Sequence, residues 1–175
     1  MEFKPDYNFR PGMFFDEAAF KLDLYRLLAC FYASKGFARL RDSAHRDIAS
    51  AGDLGGAFEE PEITRLLVSI AARVRVIQDR EREYFKQVKK TECGRLVRDV
   101  THPRKSEPLS WREGCNKIIH AKHFHVDLQR KPRNPNDYPP LHPIIYLYGT
   151  QDRVEWKATL NIEAFVAISA ELITG

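Results

Sequence analysis

The chain has 175 residues, a formal net charge of +4, 43% apolar residues and 30% charged residues. This is enough for one domain with its own core, and too apolar for a disordered chain. No apolar run approaches the roughly 18 residues that a bilayer span needs, and the mild basicity is compatible with a polyanionic partner without demanding one.

The opening "MEFKPDYNFRPGMFF" shows no charged start followed by an apolar stretch and a small-residue cleavage site, so no secretory leader is expected. Cys30, Cys93 and Cys115 are odd in number, far apart and free of any Cys-x-x-Cys pattern. Reduced thiols in a cytoplasmic protein are the simplest expectation, with no membrane partner.

Residues 1–13 carry two prolines, a glycine and several aromatics, and are expected to form an irregular arm that packs onto the body. Residues 14–35 are predicted helical. Asp16 is the cap, Ala18, Leu22, Tyr25, Ala29 and Tyr32 form the apolar stripe, and Gly36 is a stop or kink. A weaker helix is expected over 37–50, followed by a break at "AGDLGGAFEEP".

Pro61 suits the first position of a long helix whose seam runs Ile63, Leu67, Ile70, Val74, Ile77, Glu81, Tyr84, Val88. Glu81 interrupts that seam, either near an exposed end or as a buried carboxylate with a cationic partner. From Arg73 to Lys105 the chain is rich in basic residues, including Arg75, Lys86, Lys89 and Lys90. Such a run is either a solvated helix face or a strip that meets nucleic-acid phosphates. Residues 91–108 read as a loop.

A helix is predicted from Ser110 to about 121. Ser110 and Glu113 match a capping box. At 100° per residue, Trp111, Cys115, Ile118 and Ile119 share the core side. Arg112, Asn116 and His120 form one polar stripe at its flank, and Glu113 and Lys117 lie further towards solvent. Gly114 costs about 1 kcal/mol in a helix, which points to a close backbone neighbour.

"HFHVDLQ" alternates with period two and predicts a strand. "RKPRNPNDYPPLHP", residues 130–143, contains five prolines and reads as irregular. "IIYLYG" and "RVEWKATL" predict a hairpin around "GTQD", with Val154, Trp156, Ala158 and Leu160 on one face. Asn161 caps a last helix between the staple residues Leu160 and Phe165. The expected fold class is mainly α within α+β. A single domain would hold a helical bundle over 14–122, a small antiparallel hairpin or sheet over 123–160 as an appendage, and a closing helix over 161–173.

The stretch "CNKIIH", Cys115 to His120, resembles the signature of the HEPN family, whose common form reads "RNKIxH". The family's arginine is replaced by Cys115. The resemblance implies a helical bundle, a homodimer with the site at its interface, contact with RNA and metal-independent RNA cleavage in toxin–antitoxin or defence systems. It implies no cofactor. In such a site the ribose 2′-hydroxyl is already tethered beside the phosphate, a histidine moves the proton and a guanidinium holds the developing charge. The implied catalytic set is His120, Asn116 and Arg112, with Lys117, Lys86, Lys89 and Lys90 meeting nucleic acid.

Arg112 lies about 12 Å along the axis from His120, and helical side chains lean the other way. It would therefore have to act across a two-fold dimer. Three alternatives stay open: an ordinary helix end with His120 favoured by the dipole, a binding or assembly module that meets a protein partner, and a metal-dependent hydrolase using His120, His123 and His125 near Asp127. No phosphate-cradling, dinucleotide or serine-hydrolase motif occurs.

Overall fold

Helix α1, Glu17–Arg41, starts where expected: the amide of Ala19 donates to Asp16 Oδ1 at 2.9 Å. In the computed structural model, which describes residues 16–43, 45–80, 91–134 and 137–174, it continues straight through Gly36. Its buried face is Phe20, Leu24, Leu27, Phe31 and Ala38. The expected stripe is largely outside, with Leu22, Tyr25 and Tyr32 exposed. Both stripes share the helical period, and burial selects the one with the larger apolar side chains, which also takes in Ser34 and Asp23 with partners for their polar atoms. Tyr32 instead keeps its hydroxyl at the surface, donating to Glu163 Oε1.

The weak helix expected over 37–50 is divided: 37–41 end α1, and helix α2, Arg46–Arg80, joins its last residues to the expected break and the long helix, with Pro61 inside it. The glycines read as a breaker are a packing surface. A Cβ at Gly52 would strike the backbone of Arg41, and one at Gly55 would strike Phe37. They let the end of α1 press against the start of α2. The seam holds as far as it is described, because Ile63, Leu67 and Ile70 are 0% exposed and Val74 1%. Asp23 of α1 meets Arg73 of α2 at 3.0 Å. Residues 1–13, Glu81, Tyr84, Lys86, Val88, Lys89 and Lys90 lie outside the described residues, as does the side chain of Ile77.

Residues 91–108 are not one loop. They supply β1, Glu92–Val97, and most of β2, Ser106–Ser110. Helix α3, Trp111–His120, follows at once. Then come β3, His123–Leu128, β4, Leu141–Gln151, β5, Val154–Asn161, and α4, Ile162–Thr174. The five strands form one antiparallel sheet in the order β2-β1-β5-β4-β3. Its buried face carries Val126, Ile145, Leu147, Trp156, Ala158, Leu160, Leu96 and Leu109. Helices α1, α3 and α4 pack against these strands, and α2 packs on α1 and α3.

The structure is thus a mixed α+β fold with four helices among the described residues. The sheet is part of the core rather than an appendage. The last helix begins as expected, since the amide of Ala164 donates to Asn161 Oδ1 at 2.9 Å, with Leu160 and Phe165 fully buried beside it. The expected proline-rich segment ends early, because β4 already starts at Leu141. The hairpin turns at Asp152 and Arg153, both at positive φ (50° and 67°), so Gly149 to Gln151 belong to β4. No helix among the described residues is long and apolar enough to cross a membrane.

Candidate functional site

Helix α3 is short and held at both ends. At its start the amide of Glu113 donates to Ser110 Oγ at 3.3 Å. Trp111, Cys115 and Ile118 are buried on one face. The Trp111 indole N–H donates to Ser169 Oγ at 2.9 Å, and that hydroxyl donates to the carbonyl of Phe165 at 2.7 Å, which fixes α3 on α4. The close neighbour anticipated at Gly114 is a side chain: an added Cβ would lie 3.0 Å from Cys93 Sγ. At the other end, the amide of Lys122 donates to the carbonyl of Tyr148 at 2.8 Å and ties the helix exit to β4.

The polar stripe forms as expected, with Arg112 and His120 exposed and Asn116 half-buried. Two neighbours differ from expectation. Lys117 is 5% exposed rather than in solvent. Its ammonium lies 3.4 Å from Glu113 Oε1, donates to Gln151 Oε1 at 3.4 Å and sits 4.4 Å from the centre of the Trp156 ring. Glu113 turns its carboxylate towards Lys117 and Arg98 rather than back to the helix start. A long amphipathic stem and three electron-rich partners let a cation sit here, where the wheel alone assigns it to water.

A cleft of about 440 Å³ opens where α2, α3 and the β4–β5 hairpin meet. Asn116, Lys117, His120 and Glu113 line it from α3, Arg75 from α2, and Thr150, Gln151 and Trp156 from the hairpin. The structure therefore brings Asn116 and His120 together with a guanidinium, and that guanidinium is Arg75. Arg112 stays exposed and outside the lining. Arg75 follows Val74, the last described residue of the buried seam, so it stands at the edge of that face. Its presence in the basic run was the available signal, but only the packing of α2 against α3 shows which described basic residue of that run lines the cleft with the histidine. Among the described residues, guanidinium, ammonium, imidazole and amide stand against one carboxylate, a set that suits a small anion or a phosphodiester.

Cys115, at the family's arginine position, belongs to the core at 3% exposure. Burial pushes its thiol well above the ordinary range and pushes that of Cys93 up to about 12, so neither is a nucleophile. His123 and His125 are exposed on β3. Among the described residues no three His, Cys, Asp or Glu side chains are grouped to hold a metal ion. The three-histidine hydrolase therefore has no ligand cage there.

Against family models, curated proteins and solved structures, the chain matches nothing.

A second cleft, about 370 Å³, lies between α2, β3 and the segment before β4, and includes Gly55, Glu59, His125, Asp137 and Tyr138. Burial raises the carboxyl of Glu59 above its ordinary range; the hydroxyl of Ser34 donates to its Oε2 at 3.1 Å and opposes the shift. Glu59 Oε1 is buried without a hydrogen-bond partner. Among its described lining residues there is no arginine, and the nearby guanidinium groups of Arg130 and Arg41 are engaged with Asp137 and Tyr138.

Proposed function

We propose that this chain is a HEPN-like, RNA-contacting protein of the cytoplasm that cleaves RNA without a metal, in the manner of toxin or defence ribonucleases. The observation that carries the reading is the shared cleft of Arg75, Asn116, Lys117 and His120. A phosphodiester seated there has the Arg75 guanidinium and the Lys117 ammonium for its oxygens. The 2′-hydroxyl of the same nucleotide attacks phosphorus while the bond to the 5′-oxygen of the next nucleotide breaks. His120 takes the proton from the attacking hydroxyl or gives one to the leaving oxygen, water supplying the other transfer. Asn116, one helical turn before His120, orients the imidazole or the phosphate. The products are a 2′,3′-cyclic phosphate and a free 5′-hydroxyl. Arg75 takes the role first assigned to Arg112, so a guanidinium is supplied within one chain, and a homodimer is an assembly around the site rather than a requirement for it. Free, buried Cys93 and Cys115 suit a reducing compartment.

One observation favours a second reading. The position of the arginine in the resembling motif is filled by a core thiol, as in a chain that kept part of the motif and lost the chemistry. The protein would then be a binding or assembly module, such as one partner of a toxin–antitoxin pair.

Incubation of the purified protein with RNA in excess chelator decides between them. Cleavage that leaves cyclic-phosphate ends, spares DNA and disappears in His120→Ala supports the ribonuclease. Intact RNA in every such reaction, with RNA binding retained, supports the module.

A further inference from the structure

The sheet has a second face, away from the helices, and its composition is not that of a merely solvated surface. Strand register sets two rows across it. One row is His125, Tyr146, Thr159 and Arg95; the other is His123, Tyr148, Lys157 and Val97. His123, His125 and Arg95 are exposed, and the two tyrosines and Lys157 are half-buried. The His125 and Tyr146 rings stack at 6.2 Å with 16° between their planes. The Lys157 ammonium lies 4.5 Å from the centre of the Tyr146 ring and 5.7 Å from that of Tyr148, so one cation bridges both rings. Neither row contains a carboxylate. Asp127 sits at the β3 edge and accepts the Tyr146 hydroxyl at 3.3 Å, while Glu155 sits at the hairpin end.

The geometry points to this face as a binding platform for single-stranded RNA, with one base stacked on each of Tyr146 and Tyr148. Flat rings standing on adjacent rows, about 7 Å apart along the strand, present π faces to unpaired bases. Paired bases in a duplex are hidden from such a surface. The cations decide the class of occupant. Lys157 and Arg95 suit a polyanion, with the two imidazoles beside them as hydrogen-bonding groups, whereas the core of a protein–protein interface is depleted in charge and in lysine above all. Lys157 has a specific part: when a base covers a tyrosine, its ammonium leaves the ring and meets the adjoining phosphate. This platform lies on the opposite face of the sheet from α3 and does not depend on His120, so it stands or falls separately from the cleavage proposed above.

The test measures fluorescence anisotropy of the full chain with a short labelled single strand of 2′-O-methyl oligouridine, which lacks the nucleophile and cannot be cut, and with a duplex of the same length. Tyr146→Ala and Tyr148→Ala are each expected to weaken single-strand binding about tenfold. Tyr146→Phe and Tyr148→Phe keep it, and the duplex is little affected by any of them. Lys157→Gln weakens binding more at low salt than at high salt. Arg75→Ala leaves the tyrosine dependence in place even if it abolishes cleavage. Ultraviolet crosslinking of the unmutated protein gives a readout free of folding effects: adducts on Tyr146 or Tyr148 support the platform. Adducts confined to other strands and helices overturn it. So does a Tyr146→Ala/Tyr148→Ala double variant that binds the single strand as tightly as the parent, or one that loses duplex and single strand equally. Conversion of a dimer to monomers at unchanged RNA affinity would assign the face to a second copy of the chain and equally overturn the proposal.

Discussion

The Lys117 ammonium sits 4.4 Å from the centre of the Trp156 ring with 7% of its side chain exposed, and Glu113 Oε1 lies 3.4 Å away. A nearly buried cation depends on its partners more than they depend on it. Glu113→Ala leaves the ammonium with an indole and an amide carbonyl, and should cost about 1–2 kcal/mol in denaturant unfolding. Lys117→Met fills the same space without charge and should change stability by less than about 1 kcal/mol. The double variant Glu113→Ala/Lys117→Met should recover most of the loss. A double variant whose loss equals the sum of the two single losses would show that the pair is not coupled.

Two glycines should respond with opposite signs. A Cβ at Gly149 would overlap the Trp156 indole and lie 3.0 Å from the carbonyl of His120. Gly149→Ala should cost about 1–3 kcal/mol and disturb the cleft wall together with the end of α3. A Cβ at Gly36 meets nothing within 4 Å and lies inside α1. Gly36→Ala should gain about 0.5–1 kcal/mol. Thermal unfolding of the two variants checks both.

Glu59 supplies a pH dependence. Its carboxyl is raised, first by burial, so the folded state holds that proton more tightly than the unfolded chain does. Stability therefore falls as pH rises from the ordinary carboxylate range through the raised value, and the cost is fully present above it. Glu59→Gln removes the titration and keeps an oxygen for Ser34. It should raise the unfolding temperature at pH 7 to 8, with the advantage shrinking towards pH 4. An advantage that grows as the pH is lowered would contradict the assignment.

The parts of this fold legible in the sequence are those whose signals are local. Ser110 and Asn161 cap their helices, Ile63 to Val74 mark a buried face, and the β5 alternation places Trp156 inward. Other parts depend on partners far along the chain. Strand β1 is interrupted by a register shift between Glu92 and Gly94, so its alternation is broken. Strand β2 contains Pro108, which its place at the sheet edge allows. The glycines of α2 look like a break until Arg41 and Phe37 are seen against them. In the candidate site, the Asn116–His120 spacing was visible as a one-turn pair. The burial of Lys117 was not, because it needs Trp156 and Gln151. Nor was Arg75, which lines the same cleft as the histidine only through helix packing.

The most direct measurement compares Arg75→Ala with Arg112→Ala in metal-free RNA cleavage at equal protein concentration. If Arg75 holds the phosphate charge beside His120, its loss should slow cleavage by about 10²-fold or more, while Arg112→Ala stays within a few-fold of the parent. Loss of cleavage in Arg112→Ala with Arg75→Ala unaffected would place the guanidinium on a partner chain and contradict the cleft as described.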